Sequence, residues 1–307
     1  MYNVFIDGSA GTTGLKIVER LSNRDDINLI KLSEELRKDE KARKEALNSA
    51  DVAFLCLPDQ AAIEAVSLVE NPNVKIIDTS TAHRVNEKWQ YGFAEINNFE
   101  EKIAKSKRIA NPGCHASGFI ALINPLINAG VIKKEVALTC FSITGYTGGG
   151  KKMIAEYEGE NKPLLYDAPR QYALGQTHKH LPEMQKYCSL NLNPIFCPIV
   201  ADYDRGMEVI VPIFKKDINC DIDAIKEIYN KTYTGKVVKL ATENNEQGFL
   251  SANSMRGKDS MELFVCGNED RIILVSRFDN LGKGASGAAI QNMNILLGED
   301  QTKGLIL

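Results

Sequence analysis

Cys114 stands in the run Ile109-Ala110-Asn111-Pro112-Gly113-Cys114-His115-Ala116-Ser117-Gly118-Phe119. An apolar, strand-like approach is broken by Asn-Pro-Gly, and a helix-like segment over residues 115–126 begins where the cysteine falls. That spacing puts the sulfur at a helix N-terminus. There, unpaired backbone N–H groups and the positive end of the helix dipole lower a thiol pKa from about 8.5 toward or below neutrality. A buried, inert cysteine is the ordinary reading for this residue type, and the turn chemistry argues against it here. Two of the chain's four histidines lie together in Gly175-Gln176-Thr177-His178-Lys179-His180-Leu181-Pro182-Glu183-Met184. An imidazole with a pKa of about 6.5 can exchange a proton with a thiol or a carbonyl oxygen at neutral pH. His178 and His180 lack helical i, i+4 spacing and have no acidic or cysteine partner arranged for a full ligand set. Acid/base work is therefore favoured and no metal is expected, although one of the two can be structural, holding a loop through its ring N–H groups.

Such groups need elements to position them and a partner chemistry, and the N-terminus supplies both. A strand-like run over residues 4–6 leads into Gly8-Ser9-Ala10-Gly11-Thr12-Thr13-Gly14 and a helical segment over 15–21. Gly8 allows the tight turn after the strand, Gly11 lets the backbone approach a pyrophosphate, and Gly14 permits close helix packing, with Thr12 and Thr13 in the same loop. The spacing is not the G-x-G-x-x-G fingerprint, so the position directly after a first strand is what marks a nucleotide loop rather than a plain turn. A second strand over 28–32 ends in Ser33 and runs into Arg37, Lys38, Lys41, Arg43 and Lys44. A carboxylate at this strand end would clasp an NAD ribose, whereas Ser33 with Arg37 or Lys38 suits a 2′-phosphate, so NADP(H) is the expected cofactor. Interleaved with Glu34, Glu35, Asp39, Glu40 and Glu45, the same stretch also reads as a solvated helix face.

Strand-like runs over 52–57 and 74–80, with a helix over 60–69, continue a βαβ rhythm, and Asp78, Ser80 and Arg84 fall at or just past a strand end. After Cys114 the pattern changes to strands over 136–144, 195–199, 207–214, 262–265 and 271–278, mostly joined by longer loops or hairpins. An apolar helix over 286–297 returns to the first domain. The expected fold class is α/β, a Rossmann-like parallel-sheet nucleotide-binding domain plus an α+β catalytic and dimerisation domain. Residues 1–113 form the NADP-binding domain, completed by a C-terminal helix in 284–307, and residues 114–283 the second. A net charge of −3 with 25% charged residues leaves no basic excess for nucleic acid. No apolar run reaches the ~18 residues of a membrane span, and no signal-peptide pattern opens the chain, so a cytoplasmic protein is expected. Seven cysteines without a C-x-x-C pair suit reduced thiols.

A cysteine hydrolase needs no dinucleotide fold, and a simple alcohol dehydrogenase needs no cysteine nucleophile. An enzyme that reduces an activated acyl group through a thioester, or oxidises an aldehyde in reverse, needs cysteine, histidine and nucleotide together. These residues also carry a family resemblance. Over nearly its full length the chain resembles the short form of the N-acetyl-γ-glutamyl-phosphate reductases, arginine-biosynthesis enzymes related to the aspartate-semialdehyde dehydrogenases. Besides the Gly8 loop, it has Phe54-Leu55-Cys56-Leu57-Pro58-Asp59, Asp78-Thr79-Ser80-Thr81-Ala82-His83-Arg84 and Asp279-Asn280-Leu281-Gly282-Lys283-Gly284-Ala285-Ser286-Gly287-Ala288-Ala289. Asn-Pro-Gly-Cys and His-Lys-His-Leu-Pro-Glu are the specific blocks. One departure is Tyr146, in the loop over 142–152, where smaller residues are usual.

The resemblance implies NADPH-dependent reduction of N-acetyl-L-glutamyl 5-phosphate to the 5-semialdehyde with release of phosphate, through a Cys114 thioester. It implies His180 as the acid/base, with His178 as substitute, because the family places its catalytic histidine in this block. Gly287 and Ala288 are expected to let the nicotinamide lie close. For the leaving phosphate Arg84 comes first and the 142–152 loop, beginning at Ser142, second. Arg170 and Arg205 are candidates for the substrate α-carboxylate, although each arginine reads equally well as an ordinary ion pair. The partners expected are this small-molecule substrate and phosphate, with no nucleic acid or membrane, in a homodimer or homotetramer. The alternatives are an aspartate-semialdehyde dehydrogenase, whose usual wording around cysteine and histidine differs, and a non-catalytic NADP-binding sensor, against which Cys114, His178 and His180 argue.

Overall fold

The computed structural model describes residues 1–242 and 246–307. The chain forms two compact units, Met1–Pro112 with Ala285–Leu305, and Gly113–Gly284 with Ile306–Leu307. The last two residues join the second unit because Asp259 N–H donates to the Ile306 carbonyl (2.6 Å) and Ile306 N–H to Asp259 Oδ2 (2.9 Å).

In the first unit, β1 (Tyr2–Asp7), β2 (Ile27–Ile30), β3 (Val52–Leu55), β4 (Lys75–Asp78), β5 (Gln90–Tyr91) and β6 (Arg108–Ala110) form one sheet in the order β2-β1-β3-β4-β6-β5. Every pairing is parallel. β3 reads Val-Ala-Phe-Leu without alternation because both of its faces are covered, and all four residues are fully buried. The connecting helices are α1 (Thr12–Leu21), α2 (Glu40–Ser49), α3 (Asp59–Ser67) and α4 (Phe99–Ala104), joined by the C-terminal helix Gly287–Leu297. Asp39 starts α2 by accepting the Ala42 N–H (2.8 Å), which satisfies one of the orphan donors of a helix end. β2 stops at Ile30, two residues short of the expected Leu32. The chain turns instead, with the Ser33 carbonyl accepting the Leu36 and Arg37 N–H groups (3.1 and 3.0 Å) ahead of a single 3₁₀ turn, Leu36–Lys38. Strand order reverses between β1 and β3, and the crevice at such a reversal is where open α/β sheets bind ligands.

The second unit opens with α5 (Cys114–Asn128) and builds a mixed sheet from β7 (Thr139–Gly145), β8 (Arg170–Gln171), β9 (Ile195–Ala201), β10 (Met207–Phe214), β11 (Val238–Leu240), β12 (Met261–Gly267) and β13 (Arg271–Phe278). Their order is β11-β12-β13-β10-β7-β9-β8. α6 (Gly150–Glu158), α7 (Leu181–Tyr187) and α8 (Ile222–Thr232) complete it. β7 begins at Thr139 and not at Val136, whose N–H closes a turn onto the Lys133 carbonyl (3.1 Å). α5 is apolar all round and every residue from 115 to 127 is buried, the signature of a central helix. Pro125 lies inside it and cannot donate to the Ala121 carbonyl. The Tyr233 hydroxyl donates there instead (2.7 Å), so the buried acceptor is satisfied and α5 runs on unbroken. On the sheet face away from α5, Phe141, Ile195, Phe214 and Ile273 are exposed. Among the described residues no helix is long and apolar enough to cross a membrane.

Candidate active site

The cysteine site lies wholly in the second unit. Cys114 is the first residue of α5, after Gly113 in an extended conformation (φ −77°, ψ 144°), with no side-chain cap and no acidic residue in the first turn. The first-turn N–H groups and the positive end of the dipole thus face the thiol region without a side-chain cap. Two bonds fix the helix against α7: Gly113 N–H donates to the buried Glu183 carboxylate (3.0 Å), and Asn124 Nδ2 to the Tyr187 carbonyl (2.7 Å). On the other side, a β-carbon placed on Gly284 would stand 2.9 Å from Cys114 Cβ, so only glycine fits against the thiol here. Gly284 belongs to a π-helical turn, Gly282–Ser286, a rare local winding that recurs at functional sites.

Three imidazoles gather at this helix end. The His115 ring lies 5.6 Å from that of His178 and 5.4 Å from that of His180, and the last two are 4.7 Å apart at 87°. His178 Nδ1 accepts the His180 backbone N–H (3.1 Å), which leaves its Nε2 as the protonated nitrogen of a neutral ring. His180 also starts α7, its carbonyl accepting the Met184 N–H (3.1 Å). The loop before it is held to β9 by Gln176, which donates to the Phe196 carbonyl and accepts the Phe196 N–H, both at 2.8 Å. His115 Nδ1 lies 2.7 Å from Ser142 Oγ and its Nε2 2.7 Å from Tyr172 Oη. Burial, then the neighbouring His178, pushes the His115 pKa down to about 3, so this ring is neutral at pH 7.

The nucleotide loop occupies the first unit. Gly8 has φ +84°, and a β-carbon there would lie 2.3 Å from the Cys56 carbonyl oxygen, so the turn after β1 admits no other residue. A cleft of about 660 Å³ opens at the strand-order reversal, lined among others by Gly8, Gly11, Leu32, Arg37, Lys38 and Arg43. α1 has Gly11 as its N-cap, no side-chain cap and no acidic residue in its first turn, which fits a pyrophosphate. Cys56 also lines the cleft, but burial pushes its thiol up to about 12, which leaves it an unreactive lining group.

Of the residues expected from sequence, His178, His180 and Ser142 come together around His115, the residue after Cys114. Gly8, Gly11 and Arg37 line the cleft. Thr12 and Thr13 open α1, and Gly14 packs under the Gly8 carbonyl. Ser33 is not among the cleft's lining residues, and Arg37 is paired with Glu34 (3.0 Å). Gly287 and Ala288 begin the C-terminal helix, both buried. Arg84 is buried in the first unit and donates to the Thr79 carbonyl (2.9 Å). Arg170 lies over the Tyr166 ring (3.4 Å) and donates to the Tyr157 hydroxyl (2.8 Å), and Arg205 approaches Asp204 (3.5 Å) and Asp279 (3.7 Å). His115, Tyr172, Glu183 and Arg43 were not expected. Arg43 holds the buried Asp7 at the end of β1 (2.8 Å). Position next to Cys114 was the one signal for His115, whereas nothing in the sequence pairs Tyr172 or Glu183 with the cysteine.

Comparison with known proteins gives the same outline. Residues 3–106 match the family model for the NAD binding domain of semialdehyde dehydrogenase, and residues 114–280 the one for its dimerisation domain. The N-acetyl-gamma-glutamyl-phosphate reductases of Brucella ovis and Brucella melitensis are 44% identical over 306 residues, covering 96% of this chain and 99% of theirs. Among solved structures, aspartate semialdehyde dehydrogenase II of Vibrio cholerae superposes with a TM-score of 0.71 at 16% identity, covering 97% of this chain and 98% of its own. The aspartate semialdehyde dehydrogenase of Francisella tularensis gives 0.72 at 14%, covering 97% and 100%. At such identities those two likenesses are of fold. The relatives and the two family models together place the chain in the semialdehyde dehydrogenase family, among its N-acetyl-gamma-glutamyl-phosphate reductases.

Proposed function

We propose that the chain reduces N-acetyl-L-glutamyl 5-phosphate to N-acetyl-L-glutamate 5-semialdehyde with NADPH, releasing phosphate, as a cytoplasmic enzyme of arginine biosynthesis. The observation that carries the reading is Cys114 at the start of α5, without a side-chain cap, in the helix turn whose His115 packs on His178 and His180, in a chain 44% identical to reductases of that name. The first unit is the cofactor domain. Gly8, Gly11 and the α1 N-terminus would hold the pyrophosphate, and Arg37 and Lys38 on the cleft's rim the 2′-phosphate. When bound, NADPH supplies the hydride that takes a thioester to the thiohemiacetal level.

The rest falls to the chain's own residues. Cys114 thiolate attacks the acyl carbon, a C–S bond forms, and the C–O bond to phosphate breaks. N–H groups at the start of α5 stabilise the tetrahedral oxyanion. His180 gives a proton to that oxygen at the thiohemiacetal and takes it back as the C–S bond breaks, which releases the aldehyde and restores the thiolate. Arg84 is the first candidate for the leaving phosphate, and Arg170 and Arg205 for the α-carboxylate. The exposed apolar sheet face with Phe141, Ile195, Phe214 and Ile273 supports pairing of subunits into a homodimer or homotetramer, and the seven free cysteines suit a reducing compartment.

NADP reduction at alkaline pH, with phosphate and N-acetylglutamate 5-semialdehyde, tests the proposal beside aspartate semialdehyde, NAD and a Cys114→Ser variant. Turnover that requires phosphate, prefers the acetylated substrate and NADP, and disappears in Cys114→Ser supports it. Turnover of aspartate semialdehyde alone moves the chain to the sister activity, and NADP binding without turnover makes it a sensor.

A further inference from the structure

Arg43 differs from the other cations of the cofactor cleft in how it is held. The cleft is lined by Lys31, Arg37, Lys38 and Arg43 and by two carboxylates, Asp7 and Glu34. Lys31 and Lys38 are exposed. Arg37 pairs with Glu34 one turn away (3.0 Å), but their side chains are 44% and 81% exposed, so that pair is screened by water and loosely held. The Arg43 side chain is only 15% exposed and reaches from α2 to the buried Asp7, the last residue of β1. Both Nε (3.1 Å) and Nη2 (2.8 Å) donate to Asp7 Oδ2. A guanidinium is planar and carries its N–H donors in a fixed fork. With the Nε–Nη2 edge taken, the Nη1–Nη2 edge is left, and Nη1 has no partner among the described residues. Such an edge matches two oxygens of a phosphate. Its place in the sheet points to a particular phosphate. β1 pairs Phe5 with Ile30, the last residue of β2, so Asp7 stands two residues further on, where β2 has ended. The end of this second strand is where α/β dinucleotide folds read the 2′ position of the adenosine ribose. Ser33, the residue expected to do so, is not among the cleft's lining residues, whereas Arg43 is.

We propose that Arg43 is a specificity-determining residue: held by Asp7, it forms the inner half of the 2′-phosphate site, with Arg37 and Lys38 on the rim. Asp7 fixes the guanidinium before the cofactor arrives, so little side-chain freedom is lost on binding. Four cations against two carboxylates also leave the cleft a surplus of positive charge for a phosphate. The inference rests on the NADPH reading of the first unit and adds to it the residue that separates NADPH from NADH.

Calorimetric titration of the full chain with adenosine 2′,5′-bisphosphate and with 5′-AMP, which differ by the 2′-phosphate alone, tests it without turnover. Wild type is expected to bind the bisphosphate at least about tenfold more tightly. Removing Arg43 alone would strand a buried carboxylate beside the glycine turn, so the main variant is Asp7→Asn/Arg43→Met, which takes out both charges. It is expected to weaken the bisphosphate about 10- to 100-fold, through loss of charged hydrogen bonds, and AMP by less than about threefold. Asp7→Ala, which keeps Arg43 but frees it, is expected to weaken the bisphosphate severalfold even though the cleft loses a negative charge. Equal changes for the two ligands in the double variant, or none, would reduce Asp7–Arg43 to a structural ion pair and overturn the proposal while leaving the NADPH reading intact. A tighter bisphosphate in Asp7→Ala would overturn the holding role of Asp7. A wild type that binds both ligands alike overturns the NADPH reading itself, and this inference with it. If circular dichroism finds the double variant unfolded, Arg43→Lys, which keeps the charge but not the two-edged fork, decides the matter: a loss confined to the bisphosphate is expected, and unchanged discrimination overturns the proposal.

Discussion

Replacing Gly284 by alanine tests how tightly the fold places the nucleophile. The new β-carbon would stand 2.9 Å from Cys114 Cβ, 3.2 Å from the Asp279 carbonyl oxygen and 3.3 Å from the Phe278 ring. Carbon atoms settle at about 3.5–4.0 Å, so the two segments must part by about 0.6–1 Å. Neither side yields easily. Gly113 is tied to Glu183. The π-helical turn is tied to Asp279, whose carboxylate accepts the Leu281 N–H (2.7 Å) and whose carbonyl accepts those of Gly282 and Gly284 (3.1 and 3.0 Å). A displacement of about 1 Å at a reacting group costs on the order of a hundredfold in rate, and overpacking costs about 1–3 kcal/mol of stability. The expected outcome is a kcat lower by about 10², a lower melting temperature, and an unchanged Kd for NADP, measured by fluorescence titration, because the cleft's glycine loop is untouched. A variant with wild-type kcat and melting temperature would refute the inference that Gly284 is there to make room for Cys114.

Two further outcomes follow from the same geometry. Arg37→Ala is expected to raise KM for NADPH by about 10- to 100-fold through loss of a charged hydrogen bond and to leave NADH turnover unchanged; equal effects on the two cofactors in steady-state assays would count against a 2′-phosphate role. His115 is depressed to about 3 in the folded chain, against about 6.5 unfolded. The unfolded chain therefore binds that proton first as pH falls, so the stability is complete above pH 6.5 and is lost toward pH 3, by up to ~1.4 kcal/mol per unit. Urea denaturation between pH 7 and 5 is expected to show a shallower loss in His115→Gln than in wild type, and identical slopes would argue against a buried neutral imidazole.

Much of this site could be read in one dimension because its signals are local. A glycine-rich turn after a strand, an Asn-Pro-Gly break before a helix and a His-x-His run before Pro182 each depend on a few adjacent residues whose backbone preferences are strong. The eight-residue strand readings over 207–214 and 271–278 agree with β10 and β13 to the residue. Predicted ends were less accurate where a turn competes with a strand, as at Ser33 and Val136, because one hydrogen bond there decides which wins.

The sequence by itself determined the chemistry: a thiol at a helix N-terminus, a histidine pair and a phosphate-cradling loop, each a matter of residue type and short spacing. Tertiary structure alone decided which side chains serve that chemistry from a distance. Tyr172 and Glu183 lie 58 and 69 residues from Cys114 along the chain, yet Tyr172 reaches the adjacent His115 through a hydrogen bond and Glu183 holds Gly113. Folding chose between alternatives the sequence left open. Cys56, one of seven cysteines, is held as an inert thiol by burial. Hydrogen bonds and desolvation act through space over a few ångströms, so their partners depend on how β7, β8, α5 and α7 meet. No spacing along the chain encodes that meeting.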